Sequence, residues 1–294
     1  METGLAELSQ EARQYRASAF ATSTKAAYRT HLQTYLRFCL YYGLESVPAD
    51  KHTLTCYVAH LARTMAPKSI DIYMNIIRIL DEEAGLPNPL LSNYEVRIVK
   101  RGITREKGVP ARQKAPITVP ILIELYATLD LTKTSDAAFW AAVLVGFFGY
   151  PRKSSLLPAE INTPKAKRLS RSDVTNMCVD SFMLTCRHSK SNQFGQRVHI
   201  IPYASCPDFR LCPIKAVYTH LGKSILHQDS PLFNFVENGA QRFMSHPYFV
   251  KRLKLGIQQI SGDPSLISAH SLRRGGATHS DATYQPKQIK ARGD

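Results

Sequence analysis

Nothing in the 294 residues approaches the ~18 consecutive apolar positions that a membrane-spanning helix needs, so no membrane partner is expected. The longest apolar stretch, 139–150, has the length of a buried helix. The N-terminus, Met-Glu-Thr-Gly-Leu-Ala-Glu-Leu-Ser, lacks the basic segment and apolar core of a secretory signal. The expectation is a nuclear protein if the source is eukaryotic, a cytoplasmic one otherwise, and not a secreted one. Cysteine is sparse: six, at 39, 56, 178, 186, 206 and 212, with no Cys-x-x-Cys pair and no disulfide-scaffold density. That predicts a reducing compartment and buried thiols. The alternative is a zinc site from Cys206 and Cys212 with Cys178, Cys186 and His188 upstream. Internal repeats and low-complexity tracts are absent. Acidic residues are also scarce, 23 against 38 Lys and Arg, leaving a net charge of +15. Such an excess suits a polyanion or an anionic surface, and charge alone does not choose between them.

What is present describes a folded chain long enough for two domains. Residues 1–21 read as a polar lead-in that can be helical. Thr22 or Ser23 can cap a helix with an apolar face of Tyr28, Leu32, Tyr35, Leu36, Cys39 and Tyr42, and Gly43 ends it. A second helix is predicted over 50–65, with Leu54, Tyr57, Val58 and Leu61 inward. A third starts near Pro67 and carries Ile72, Tyr73, Ile76, Ile77 and Leu80. A short fourth spans 93–103. Residues 22–103 therefore form a small all-α bundle. The stretch 104–116 carries Arg105, Lys107, Arg112 and Lys114 among helix breakers and reads as a basic linker, soluble or laid along phosphates.

The remaining residues, 117–294, form a second domain. Helices are predicted from Thr118 to about 129, over 137–148, over 212–221 and over 247–260. The last is basic through Lys251, Arg252 and Lys254. Residues 174–186 and 197–203 read as strands, with 188–196 the turn between them and Gly195 its bend. The fold class is mainly α with a small antiparallel sheet, α+β. Lys165, Lys167, Arg168 and Arg171 read as a basic cluster on a solvated or DNA-facing hairpin or, less directly, as a nuclear-import patch.

Three motifs carry chemistry. In His270-Ser-Leu-Arg-Arg-Gly-Gly-Ala-Thr278, a His and an Arg at i and i+3 share one helical face. They can offer an imidazole and a five-donor fork to one anionic group. The two glycines let a backbone or ligand come close. Upstream stand Gly149-Tyr-Pro-Arg152-Lys-Ser-Ser-Leu156 and Ser189-Lys190-Ser-Asn-Gln-Phe-Gly-Gln196. If the target is a phosphodiester, Arg152 and Arg273 suit bidentate contact with the oxygens on which charge builds. Lys190, at a strand-turn-strand tip, can reach a groove. His270 can donate to the phosphorane or shuttle a proton.

Arg152, then Lys190 between two strands, then His270-x-x-Arg273 resembles the tyrosine recombinase (phage integrase) family. The nearest likeness is to the crypton-like recombinases of eukaryotic mobile elements, and it covers roughly residue 22 onward. The resemblance implies a core-binding domain that clamps DNA and a catalytic domain with Arg152, Lys190, His270 and Arg273 as its active residues. The matching lysine protonates the leaving 5′ oxygen. It further implies double-stranded DNA as partner, with self-association on that DNA. No metal, nucleotide or other small-molecule cofactor is implied, because a phosphotyrosyl link stores the bond energy.

The chain departs from the family pattern in three places. Ser155 stands where the family has an acidic or amide residue, and Pro151 where it favours an aliphatic one. The family continues past its Gly-Asp to a Trp or His and a nucleophilic Tyr, whereas this sequence stops at Arg292-Gly-Asp294. Tyr284 stands too near Arg273 to match that nucleophile. The expectation is thus a truncated catalytic domain that holds the phosphate-activating residues without the attacking group. Whether such a chain is an enzyme stays open. The alternatives are a non-catalytic DNA-binding remnant of a mobile element and a basic helical protein-interaction module.

Overall fold

A computed structural model describes residues 2–108, 113–158, 160, 163–188, 192, 198–223 and 226–281. Two compact units are present, Met1–Ala111 and Arg112–Asp294. Among the described residues, helices dominate both, and small antiparallel sheets lie only in the second.

The first unit holds α1 (Glu2–Ser18), α2 (Thr22–Tyr42), α3 (Lys51–Leu61), α4 (Pro67–Glu83) and α5 (Tyr94–Lys107). Local chemistry sets most boundaries. The Asp50 carboxylate accepts from the Thr53 amide at 2.6 Å and the Asn93 side chain from the Val96 amide at 3.1 Å, each satisfying an orphan donor. Gly43, at φ 63°, closes α2 with its amide on the carbonyls of Cys39 and Leu40. Tyr35, Phe38, Leu54, Tyr57, Val58, Leu61, Ile70, Met74 and Ile77 fill the core. On α4 the expected inward residues Tyr73, Ile76, Ile77 and Leu80 do face the core, and Ile72 does not. Ile72 is 59% exposed, while Ile70, Met74 and Ile77 are buried. The stripe ends on buried Asp81, which faces the Ala49 amide at 3.4 Å and whose carboxyl burial pushes upward. Helix α5 also runs on to Lys107, inside the stretch read as linker, and Lys107 Nζ donates to the Ala62 carbonyl at 3.0 Å.

The second unit is built on α7 (Thr134–Gly149), which follows α6 (Val119–Ala127) and precedes the single turn α8 (Lys153–Leu156). Almost every side chain of α7 is buried, and Trp140 Nε1 donates to the Arg210 carbonyl at 3.0 Å. Strands β1 (Val174–Thr175), β2 (Ser181–Cys186) and β3 (His199–Ala204) pair antiparallel in sequence order. The span 174–186 is therefore two strands rather than one: Asn176, at φ 51°, breaks it after two residues. After α9 (Pro213–Gly222) comes a second hairpin, β4 (Asn234–Glu237) and β5 (Ala240–Phe243), which the sequence reading missed. Its Asn238-Gly239 turn has φ of 52° and 74°, the type I′ pattern, so a signal was there to be read. Helices α10 (His246–Gln259) and α11 (Ala269–Asp281) complete the unit.

Two charges read as surface groups turn inward. Arg252 of α10 pairs with Asp136 at 2.9 Å and lies over the Phe139 ring, and Arg171 is only 7% exposed. Within reach of the Arg171 charge, His220 is buried, its Nε2 2.8 Å from the Leu232 carbonyl. Burial, offset in part by that bond and reinforced by Arg171, lowers its pKa from 6.5 to about 4. Between those values the unfolded chain takes a proton that the folded chain refuses. Stability should fall as pH drops through that window, by on the order of 3 kcal/mol, and level off below pH 4. Urea denaturation at pH 7 and pH 4.5 checks this: His220→Gln, which keeps a donor to Leu232, should flatten much of the slope.

Candidate active site

The last turn of α7 sets the first arginine. Tyr150, at φ 53° and ψ 27°, leaves the helix in the left-handed region, and the proline after it disfavours a further α-helical residue there. Arg152 is then extended, and its carbonyl accepts from the amides of Ser155 (2.8 Å) and Leu156 (3.0 Å) to open α8. Pro151 thus serves as the device that ends α7 and turns the chain at Arg152. Beneath it Ser155 is buried, its Oγ without a hydrogen-bond partner among the described residues.

The second arginine comes from α11. Arg273 donates from one guanidinium nitrogen to the Tyr150 carbonyl at 3.0 Å, which ties it to the turn that carries Arg152. The double glycine makes the approach of α11 feasible. A Cβ on Gly275 would stand 1.7 Å from the Ile117 carbonyl oxygen, and one on Gly276 would stand 1.9 Å from that of Phe147. Backbone thus packs against backbone on both sides of this helix. Arg274 points elsewhere, bonding the Lys114 carbonyl and, at 3.1 Å, Gln113 Oε1. Lys114 itself donates to the Ser265 carbonyl at 2.6 Å, so this cation of the predicted linker is engaged within its own unit.

Arg152, His270 and Arg273 line one cavity of about 560 Å³. Lys153, Ser154 and His246 share its wall. Lys190 and Tyr284 lie outside the described residues. His246 was missed in the sequence, since one histidine at a helix start has no spacing to mark it. Its amide donates to the Pro158 carbonyl at 3.0 Å, and the Ser245 hydroxyl caps α10 beside it. Burial, with the Lys153 charge second, lowers its pKa, so its ring is neutral at pH 7 and either nitrogen can exchange a proton. Two guanidinium forks, a lysine and two imidazoles around one space can hold a tetrahedral anion and move a proton beside it. Among the described residues, no three His, Cys, Asp or Glu side chains stand together as a metal site, and no helix is long and apolar enough to cross a membrane.

The chain is 28% identical over 266 residues to the integrase/recombinase XerD homolog of Selenomonas ruminantium, covering 88% of this chain and 73% of that protein. No family model matches it. Its fold is similar to that of lambda integrase, solved as a dimer bound to a COC′ core site. The TM-score is 0.56 at 13% identity, over 97% of this chain and 92% of that one. The Tn1549 transposon integrase, solved with transposon right end DNA, gives 0.58 at 11% identity, over 96% and 89%. Sequence likeness along most of both chains, and a fold shared with two integrases, support the resemblance to the tyrosine recombinase (phage integrase) family.

Proposed function

We propose that the chain binds duplex DNA and acts in site-specific recombination or integration, holding one phosphodiester between Arg152 and Arg273. The observation that carries this reading is the cavity shared by Arg152, His270 and Arg273. The relatives' names and complexes point the same way: a recombinase by sequence, and integrases on a core site and on a transposon end by fold. In the reaction, charge builds on the two non-bridging oxygens of the scissile phosphate. Guanidinium groups fixed beforehand by α11 and by the turn after α7 stabilise that charge without reorganising. His270 donates to the same oxygens, and Lys190 is assigned the proton for the leaving 5′ oxygen. The residues 22–103 clamp the duplex, 104–116 link, and 117–294 hold the phosphate. Copies of the chain assemble on the DNA, in the nucleus of a eukaryotic source or in the cytoplasm otherwise.

The test is duplex affinity across a salt series. Each phosphate contact contributes about −0.9 to the slope of log K against log salt, so six contacts mean roughly a 10³-fold loss between 50 and 200 mM. A flat dependence, or no duplex binding at low salt, would overturn the proposal.

A further inference from the structure

Strand β4 opens on an asparagine whose amide oxygen has no partner among the described residues. Asn234 is 5% exposed, and its Oδ1 is buried without a hydrogen-bond partner. A bare buried acceptor is costly, so such a group is kept where something else pairs with it. Asn234 lines a cavity of about 380 Å³ that shares no residue with the one around Arg273. The rest of the wall has a consistent character. Arg168 and Arg242 bring two guanidinium groups, and Phe243, the cross-strand partner of Asn234, brings an aromatic face. Arg168 is steadied by a bond from its Nη2 to the Asp229 carbonyl at 3.2 Å, while its Nε is buried without a partner. The Asp229 carboxylate also faces this cavity, but Lys165 pairs with it at 2.5 Å and holds it ionised. Arg242 is paired with Glu237 at 3.2 Å and is 56% exposed at its side chain, so it can swing to a ligand.

We propose that this cavity binds one nucleotide whose base carries an exocyclic amine. The Asn234 Oδ1 accepts from the amine, Phe243 offers a stacking face, and Arg168 and Arg242 take the phosphate. An asparagine amide matches the adenine N6/N7 edge, an aromatic ring accepts any base by stacking, and a guanidinium fork matches phosphate. The volume falls in the range of small-ligand sites. Thymine has no exocyclic amine: on the edge that corresponds to adenine N6/N7 it presents O4, an acceptor, to the acceptor Oδ1. The nucleotide can be free or one unpaired residue of bound DNA, and the free form stands independently of the recombinase reading.

The full chain is titrated with dAMP, dTMP and inorganic phosphate by calorimetry. dAMP should saturate, with dTMP at least ten-fold weaker and phosphate weaker still. Arg242→Ala, at an exposed position, should weaken dAMP several-fold. Asn234→Leu should erase the difference between dAMP and dTMP while raising the denaturation midpoint, because it removes an unsatisfied polar group. Duplexes with a single extrahelical adenine or thymine separate the sources. Tighter binding of the adenine duplex, lost in Asn234→Leu, assigns the site to DNA, and equal binding assigns it to free nucleotide. Equal titrations for dAMP and dTMP, no saturation with dAMP at millimolar concentration, or discrimination surviving Asn234→Leu would overturn the proposal and leave a buried water as the partner of Asn234.

Discussion

Replacing Gly275 with alanine should destabilise the second unit by at least about 3 kcal/mol and abolish DNA binding with it. The added Cβ would meet the Ile117 carbonyl oxygen at 1.7 Å, its carbon at 2.7 Å and its nitrogen at 3.0 Å. None of these atoms can swing aside. The Ile117 amide is itself tied to α11, donating to the Ser271 carbonyl at 3.0 Å, so relief means pulling the helix away. Gly276→Ala should behave similarly through Phe147 and the Tyr150 ring, 2.6 Å from its added Cβ. Any such shift moves Arg273 off the Tyr150 carbonyl. Gly102, inside α5 with open space around its added Cβ, gives the opposite expectation. There alanine should stabilise by about 0.5–1 kcal/mol through helix propensity and a less free unfolded chain. Denaturant midpoints measure both, and a Gly275→Ala midpoint close to that of the parent would refute the close packing of α11.

Arg273→Ala should lower duplex affinity about 10–100-fold, the range of a charge-assisted hydrogen bond, and reduce the salt slope by about 0.9. Arg152→Ala should do the same, and the double variant should lose less than the sum because both groups serve one phosphate. Arg273→Lys should not restore binding. A guanidinium fork can hold the Tyr150 carbonyl, its partner at 3.0 Å, and a phosphate oxygen at the same time. A lysine nitrogen is a single point and cannot reach both. Loss of that carbonyl bond costs roughly 1 kcal/mol of stability in either variant, so midpoints are measured beside affinities. Wild-type affinity in both arginine variants would remove them from the interface.

Much of this was legible in the sequence, for identifiable reasons. The helices of the first unit announce themselves by period and by caps at Asp50, Asn93 and Gly43, which act within four residues of their own position. The α7 segment is legible because a long apolar run bounded by polar residues admits few other structures. The order Arg152, Lys190, His270-x-x-Arg273 is legible because residue type and spacing carry it. What stayed hidden depends on distant partners. No local pattern tells that Arg252 turns inward to an aspartate 116 positions away, or that Arg171 is buried. On α4 only Ile72 was misplaced, an apolar side chain on the solvent side, and β1 was merged with β2 because two residues are too few to alternate. Asn238-Gly239 did mark the missed hairpin, but the four-residue strands beside it are short. His246 joins the cavity wall through the path of α10, which only the fold shows.

The central claim is that Arg273 and Arg152 hold one DNA phosphate. Its most direct measurement is a coupling cycle between protein and substrate. A duplex selected by the chain from a random pool is remade with a neutral methylphosphonate at each phosphate in turn. Affinities are then compared for the parent chain and for Arg273→Ala. At one phosphate the neutral substitution should weaken the parent about as much as the arginine deletion does, and should then cost Arg273→Ala almost nothing further. Arg152→Ala should single out the same phosphate. Additive losses at every phosphate, or different phosphates for the two arginines, would contradict the account.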